Sequence, residues 1–275
     1  MLNSGKSRER FRYSVKTLKY YNIALVVVQL ATSVILFFLA GFEQNSVRFP
    51  LYASLPGVRP DDPSEWMPDQ RRVSFVRVAY LPPVFLLFSA FQHAITLIPP
   101  VWNYLTGRPK TAGAVRQAKS SLIESYFNPV RWFEYMISAS LMHFTLALLV
   151  GVFDVHLLFS LFVLMSVVQL LGLVAERYRS RAAYWIAWVP FVFVWLVLLC
   201  YFSSGALLNG PPWFVWLLVL FLLALDIGFG VNQGLMLYRI VSDPYVYEVV
   251  YLSFSLVSKQ LMAWILFSGI QASIV

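Results

Sequence analysis

The stretch YLSFSLVSKQLMAWILFSG, residues 251–269, decides the fold class because it is long and apolar and carries one lysine near its middle. A helix rises about 1.5 Å per residue, so about 20 such residues cross a hydrocarbon core about 30 Å thick. Lys259 lies about 18 Å from either end of the surrounding apolar segment, farther than a lysine stem reaches comfortably. An ammonium group at that depth requires a partner or a chemical role.

The rest of the chain has the same apolar character. It has 275 residues, of which 59% are hydrophobic and 12% are charged. A soluble domain of this length cannot bury so much apolar surface, whereas a bilayer solvates it. Seven segments share the length and hydropathy of membrane spans, near 22–42, 78–99, 129–153, 155–175, 184–204, 212–238 and 247–271. The sequence therefore predicts an all-α membrane protein, a seven-transmembrane-helix bundle that forms one domain over residues 1–275.

The basic residues predict how this bundle is oriented. Short loops rich in Lys and Arg lie on the cytoplasmic side. The segments that share one side carry Lys6, Arg8, Arg10, Arg12, Lys16, Lys19, Arg108, Lys110, Arg116, Lys119, Arg177, Arg179, Arg181 and Arg239. On the opposite side, acidic residues balance the arginines of the 43–77 loop. We therefore expect a cytoplasmic N-terminus and an extracellular C-terminus. The net charge of +8 then reflects orientation and attraction to anionic lipid, and needs no nucleic-acid partner.

The connections and the single cysteine add three expectations. The long 43–77 connection contains the β-like segment SVRFPLYASL (46–55), which favours a small extracellular hairpin. The basic N-terminal segment runs into a span too long for a signal-peptide core, so we expect a retained anchor helix. Cys200 is the only cysteine, which excludes an intrachain disulfide and leaves the redox compartment open.

Ionisable side chains inside the predicted spans are the candidate functional residues, since charge at membrane depth is unfavourable unless it is paired. They are Arg131, Glu134, Asp226, Glu248 and Lys259, with His93 and His143 beside them. His143 is about half a turn around its helix from Glu134, so we expect it to face away and to make an interhelical or lipid-edge contact. No His, Cys, Asp and Glu spacing indicates a metal site.

Lys259 is the strongest candidate. Burial disfavours a protonated amine, which makes it a nucleophile for carbonyl groups, so covalent attachment of a ligand and a structural ion pair are both open. Glu134 is its expected partner, because both residues fall in the same half of the predicted membrane and lysine side chains lean toward the start of their helix.

Hydroxyl groups accompany these charges. Glu134, Ser138 and Met142 share one helical stripe with Arg131, whereas Ser255 shares a face with Lys259. Ser89 likewise shares a face with His93. A polar cluster within the bundle is one interpretation, and serine hydrogen bonds to their own helix backbone are the other.

With the seven predicted spans counted in chain order as helices 1–7, helices 3 and 7 resemble those of a known family. NPVRWFEYMISASLM (128–142) and YEVVYLSFSLVSKQLMAWILFSG (247–269) resemble the heliorhodopsins, retinal-binding seven-helix proteins with an orientation inverted relative to other microbial rhodopsins. FSAFQHA (88–94) and FGVNQGLMLYR (229–239) resemble helices 2 and 6 of the family more loosely. The resemblance runs through all seven helices in order and is weakest in helices 4 and 5.

The resemblance implies a role for each candidate. All-trans retinal would be held covalently on Lys259 as a protonated Schiff base. Glu134 would be the counterion, and Ser138 and Ser255 would tune the hydrogen bonds around the Lys259–Glu134 pair. Ser89 and His93 would belong to a neighbouring polar cavity, and Met142 would line the chromophore pocket. Arg131 would lie one turn cytoplasmic of the counterion, and Glu248 would be the acidic residue at the start of helix 7. The chain departs from the family where 25–31 (LVVVQLA) lacks a cavity histidine and where Asp226 is acidic. The resemblance also implies a homodimer.

These features predict a plasma-membrane (or equivalent) photoreceptor that signals to a cytoplasmic partner and is neither an enzyme nor a pump. A pump needs acidic relays on both sides of the Schiff base, and the outer half offers mainly Asp226. A light-gated passive proton channel is the alternative. A different class is a solute transporter that couples through Lys259, Glu134 and Asp226. A peptide-type receptor is disfavoured by the inferred orientation and the missing disulfide.

Overall fold

The computed structural model describes residues 3–42, 47–58, 62, 64, 66–106, 127–208, 210–240 and 244–272. Its elements in chain order are α1 (Asn3–Phe42), β1 (Arg48–Val58), β2 (Trp66–Arg77), a 3-10 turn (Val78–Tyr80), α2 (Leu81–Leu97), α3 (Pro99–Leu105), α4 (Pro129–Leu149), α5 (Val155–Tyr178), α6 (Arg181–Leu208), α7 (Trp213–Leu237) and α8 (Pro244–Ala272). Arg108, Lys110, Arg116 and Lys119, which entered the orientation argument, lie outside the described residues.

Among the described residues, six helices are long and apolar enough to cross a membrane, namely α1, α2, α5, α6, α7 and α8. Each matches a predicted span, so the helical membrane architecture is confirmed. The helix α4 matches the predicted span 129–153 but is less apolar, because it carries Arg131, Glu134 and buried hydroxyl groups. Its membrane crossing, and with it the seven-span count and the orientation, stays a prediction from the sequence.

The helix ends follow local chemistry that hydropathy does not detect. Asn128 caps α4 by accepting a hydrogen bond from the backbone N–H of Arg131 (3.2 Å), and Pro129 follows at the first helical position. The predicted span 78–99 ends early because Ile98 precedes a proline and takes an extended ψ of 129°. The helix α1 begins at Asn3, well before the predicted start at 22.

The 43–77 connection contains an antiparallel hairpin of β1 and β2, with an irregularity in register between Leu51 and Tyr52. Two contacts fasten it to the turn before α5. The backbone N–H of Tyr52 donates to the carbonyl of Phe153 (2.9 Å), and the hydroxyl of Ser54 donates to Asp154 (3.0 Å). Asp154 also caps α5 through the backbone N–H groups of His156 (2.9 Å) and Leu157 (3.0 Å). One carboxylate therefore starts a helix and holds the hairpin against it.

The largest apolar cluster lies among α2, α4, α5, α6, α7 and α8. Its fully buried members include Phe85, Leu146, Leu158, Val194 and Leu266. These aliphatic and aromatic side chains hold the helices around the polar residues described next.

Candidate functional site

The side-chain ammonium of Lys259 lies in a small polar cluster inside the bundle. Its ammonium donates to the carboxylate of Glu134 (2.7 Å), to the hydroxyl of Ser255 (2.9 Å) and to the hydroxyl of Ser89 (3.2 Å). It also lies 5.2 Å from the centre of the Tyr135 ring. The side chains of Lys259 and Glu134 are 3% and 4% exposed, so this ion pair is removed from water. Helices α2, α4 and α8 thus converge on one amine.

Two buried oxygen atoms beside this pair have no hydrogen-bond partner within the described part of the chain. They are Oε2 of Glu134 and Oγ of Ser138. Buried polar atoms are usually paired. These two oxygens could therefore accept hydrogen bonds from another polar group next to Lys259.

A cavity with about 840 Å³ of empty space, counting its open part, extends from Lys259 between α4, α5, α6, α7 and α8. Its walls are mostly aromatic and aliphatic, and Ser138 and Met142 are among the lining residues. The wall also includes Trp132, His143, Met165, Gly172, Trp188, Phe191, Asp226, Gly230 and Gln233. A cavity of this composition suits a long apolar ligand.

Two glycines let tryptophan rings form the cavity wall. A Cβ atom on Gly172 would lie 2.4 Å from the Trp132 ring, and one on Gly230 would lie 2.6 Å from the Trp188 ring. Both distances are too short for real atoms. The glycines are therefore required for the two rings to approach α5 and α7 this closely.

The hydrogen bond of the His93 ring is to α1. Its Nδ1 lies 2.9 Å from Oδ1 of Asn22, and the amide nitrogen of Asn22 donates to the carbonyl of Leu18 (2.8 Å). The segment 25–31 of this helix has no histidine, and Asn22, about one turn earlier on α1, was not predicted as a partner of His93. A polar residue close to an apolar span is the signal that could have identified it.

Arg131 and Glu248 form a second cluster, which is separate from the Lys259 hydrogen bonds. Arg131 is completely buried and forms ion pairs with Glu248 and with Glu176 (2.6 Å). The indole N–H of Trp132 also donates to Glu176 (2.7 Å), and Asn128 donates to Glu248 (3.2 Å). Glu176 was missed because it sits in AERYRSR, where its neighbours resemble a solvated helix end.

Asp226 pairs with His143, a contact that no sequence pattern indicated. Their Oδ2 and Nε2 atoms are 2.9 Å apart, and the indole N–H of Trp195 donates to the same oxygen (3.1 Å). The expected interhelical contact of His143 is therefore present. The expectation that His143 faces away needs correction, since it lines the same cavity as Lys259.

Comparisons with known proteins agree with this architecture. The family model of the heliorhodopsins matches residues 18–271. No curated protein sequence matches significantly. A similar solved structure is that of a light-driven proton pump, LR (Mac), from Leptosphaeria maculans. It has 14% identity and a TM-score of 0.61, over 91% of this chain and 93% of that chain. At this identity the likeness shows the fold alone.

Proposed function

The chain belongs to the heliorhodopsin family, and from this we propose that it is a light sensor whose retinal is linked to Lys259, with Glu134 as counterion. The family and the apolar helices make it an integral, multi-pass membrane protein of the retinal-type photoreceptor class. In the proposed sensor, all-trans retinal is covalently bound.

One observation carries the proposal. The buried amine of Lys259 lies 2.7 Å from the carboxylate of Glu134, and Lys259 lines a cavity with mostly aromatic and aliphatic walls. The residues fit a retinal group, because aromatic and aliphatic side chains line the cavity and because Oε2 of Glu134 and Oγ of Ser138 have no hydrogen-bond partner among the described residues. When bound, the group supplies light absorption and isomerisation.

The protein's own residues would hold charge and shape around that group. A cation in a low-dielectric site needs a nearby anion, and Glu134 supplies one at hydrogen-bond distance. In the free amine, the hydroxyl oxygens of Ser255 and Ser89 accept hydrogen bonds from the nitrogen and so hold it beside Glu134. Trp132 and Trp188 line the cavity, and Gly172 and Gly230 leave the space that their rings occupy.

We further propose that the protein signals and does not pump. Relay carboxylates on both sides of Lys259 would be needed for pumping. Within the described residues the acidic side chains near the cavity are Glu134, which is paired with Lys259, and Asp226, which is paired with His143. A homodimer in the bilayer and a cytoplasmic signalling partner complete the proposal.

The test is to express the chain, add all-trans retinal and record the visible spectrum. The wild type and the control Lys19→Ala, which removes an exposed lysine, should form the same coloured pigment. Lys259→Ala should form none. A colourless wild type, or a pigment that survives Lys259→Ala, contradicts the proposal. A colourless wild type would favour the solute transporter.

A second candidate function is a light-gated passive proton channel. It is favoured by the His143–Asp226 pair, which holds an exchangeable proton at the wall of the cavity. Voltage clamp under illumination discriminates between the two. A light-evoked current in the wild type that disappears in Asp226→Asn would favour the channel, and its absence would favour the sensor.

A further inference from the structure

Exposed arginines lie where α5 ends, α6 begins and α7 ends, and we call this region the arginine end. They are Arg177, Arg179, Arg181 and Arg239. The buried side chains of Ala175, Tyr184 and Leu237 pack together there and join the three helices. Arg181 begins the candidate membrane span of α6, and Arg239 follows shortly after that of α7. The arginine end therefore lies where the chain leaves the apolar core, at the level of lipid headgroups.

The helix dipoles explain two of these arginines but not Arg181. Arg179 caps the C-terminus of α5, and Arg239 follows the C-cap of α7, so both lie where a helix favours positive charge. Arg181 is the first residue of α6, where the helix disfavours a cation and favours an anion. An anion beside Arg181 would compensate both the arginine and the start of the helix.

The guanidinium of Arg181 is held by two aromatic side chains. It lies 4.7 Å from the centre of the Tyr238 ring. The indole N–H of Trp185 donates to the hydroxyl of Tyr238 (2.9 Å), although Trp185 and Tyr238 are 59% and 40% exposed. An arginine that only sets membrane orientation needs no fixed position. The stacking of Arg181 therefore indicates a role in recognition.

The same side chains have hydrogen-bond donors to spare. An indole N–H only donates, so the oxygen of Tyr238 accepts it and the hydroxyl hydrogen remains available. Within the described part of the chain, this hydrogen has no acceptor and Arg181 has no ion pair. The only acidic residue in 174–186 and 234–240 is Glu176, which is buried in an ion pair of its own. A phosphate group suits such a site, because its oxygens accept hydrogen bonds and a guanidinium matches its geometry.

Exposed side chains with large apolar parts continue from the arginine end along α6 and α7. They are Trp185, Val189, Val192 and Leu196 on α6, and Tyr238, Val231 and Ile227 on α7. Within each set the helical spacing keeps the residues on one face. The hydrogen bond between Trp185 and Tyr238 brings the two faces together at the arginine end. A phosphate that carries acyl chains would cover this surface, whereas a soluble anion or an acidic peptide would not.

We propose that the arginine end is a binding site for an anionic phospholipid. Its phosphate would accept hydrogen bonds from the guanidinium of Arg181 and from the hydroxyl of Tyr238, and an acyl chain would lie along α6 and α7. The other three arginines would disfavour a zwitterionic headgroup, because that headgroup carries a cation of its own. The site is independent of any chromophore at Lys259.

The test is native mass spectrometry of the full-length protein in detergent, with equal amounts of phosphatidylglycerol and phosphatidylcholine that have identical acyl chains. We expect the wild type to retain phosphatidylglycerol preferentially. Arg181→Gln should reduce this retention about fivefold, the effect of one arginine near anionic lipid. Arg181→Lys should restore only part of it, because an ammonium lacks the bidentate geometry. Tyr238→Phe, which keeps the ring, should cause a smaller loss.

Arg72→Gln is the matched control. Arg72 is also an exposed arginine that lies over an aromatic ring, 4.8 Å from the centre of Phe75, but it belongs to the hairpin. Its replacement should leave lipid retention unchanged.

Equal retention of the two lipids by the wild type would overturn the proposal, whether or not the variants fold. Full recovery in Arg181→Lys, or an equal loss in Arg72→Gln, would also overturn it, because either result would mean a general attraction to basic residues. If the wild type shows no lipid preference but binds a poly-glutamate peptide through Arg181, the surface is instead a docking site for an acidic protein segment.

Discussion

Replacing Glu134 with Gln should lower by about 2–4 units the pH at which the pigment loses its visible band. Glu134 lies 2.7 Å from the nitrogen of Lys259, and both side chains are almost fully buried. Removal of one partner of such a pair costs about 3–5 kcal/mol, because the other charge is left uncompensated. One pH unit corresponds to about 1.4 kcal/mol, which gives the predicted range. The sign follows because the carboxylate favours the cation, so without it the proton is lost at lower pH.

The assay is a spectral titration of purified pigment, and the absorption maximum of the acid form should also shift. Glu248→Gln is the matched control, because Glu248 is equally buried but forms its ion pair with Arg131. Its midpoint should stay close to the wild-type value. A shift of less than about one unit in Glu134→Gln, or an equal shift in the control, would refute the counterion assignment.

Three further predictions concern stability and can be measured by thermal or denaturant unfolding in detergent. Gly172→Ala should lower the free energy of unfolding by about 1–3 kcal/mol, because the added Cβ would overlap the Trp132 ring. Gly205→Ala is the control: its Cβ would have no atom within 4 Å, so the change should be neutral or stabilising. Equal effects of the two substitutions would contradict the packing argument. Trp132→Phe should cost about 1–3 kcal/mol through the lost N–H donor to buried Glu176, and Glu176→Gln in that background should recover part of the loss. Asp154→Ala should cost about 1 kcal/mol at neutral pH through the lost helix cap. The backbone N–H of residue 157 holds the pKa of Asp154 below its ordinary 3.8, so this stabilisation is complete above that pH and is lost as the pH falls below it. A gap between wild type and variant that persists in strong acid would contradict this.

Most of the fold could be predicted from hydropathy, because a bilayer demands long apolar helices regardless of their sequence detail. The element ends were less predictable, since they depend on single residues such as the Pro99 that stops α2. The start of α1 at Asn3 was missed because a helix that continues beyond the apolar segment has no hydropathy signal.

The Lys259–Glu134 contact could be anticipated, because an isolated lysine and glutamate at similar predicted depth have few other partners. The pairing of Asp226 with His143 could not, since it depends on how α4 and α7 are rotated about their axes. Glu176 was hidden for a different reason. A carboxylate near basic residues at a helix end looks solvated, and only the fold reveals that Arg131 reaches it.

The buried Arg131 cluster has a consequence for how the helices can move. It joins α4 to α5 and α8 through ion pairs at one end of the bundle. At that same end α7 is attached to its neighbours by amide hydrogen bonds, from Gln233 to the carbonyl of Gly172 and from Asn232 to the carbonyl of Tyr247. Replacing a neutral hydrogen bond with hydrogen bonds to water costs less free energy than separating a buried ion pair. We therefore expect the end of α7 to separate from α5 and α8 more readily than α4, α5 and α8 separate from one another.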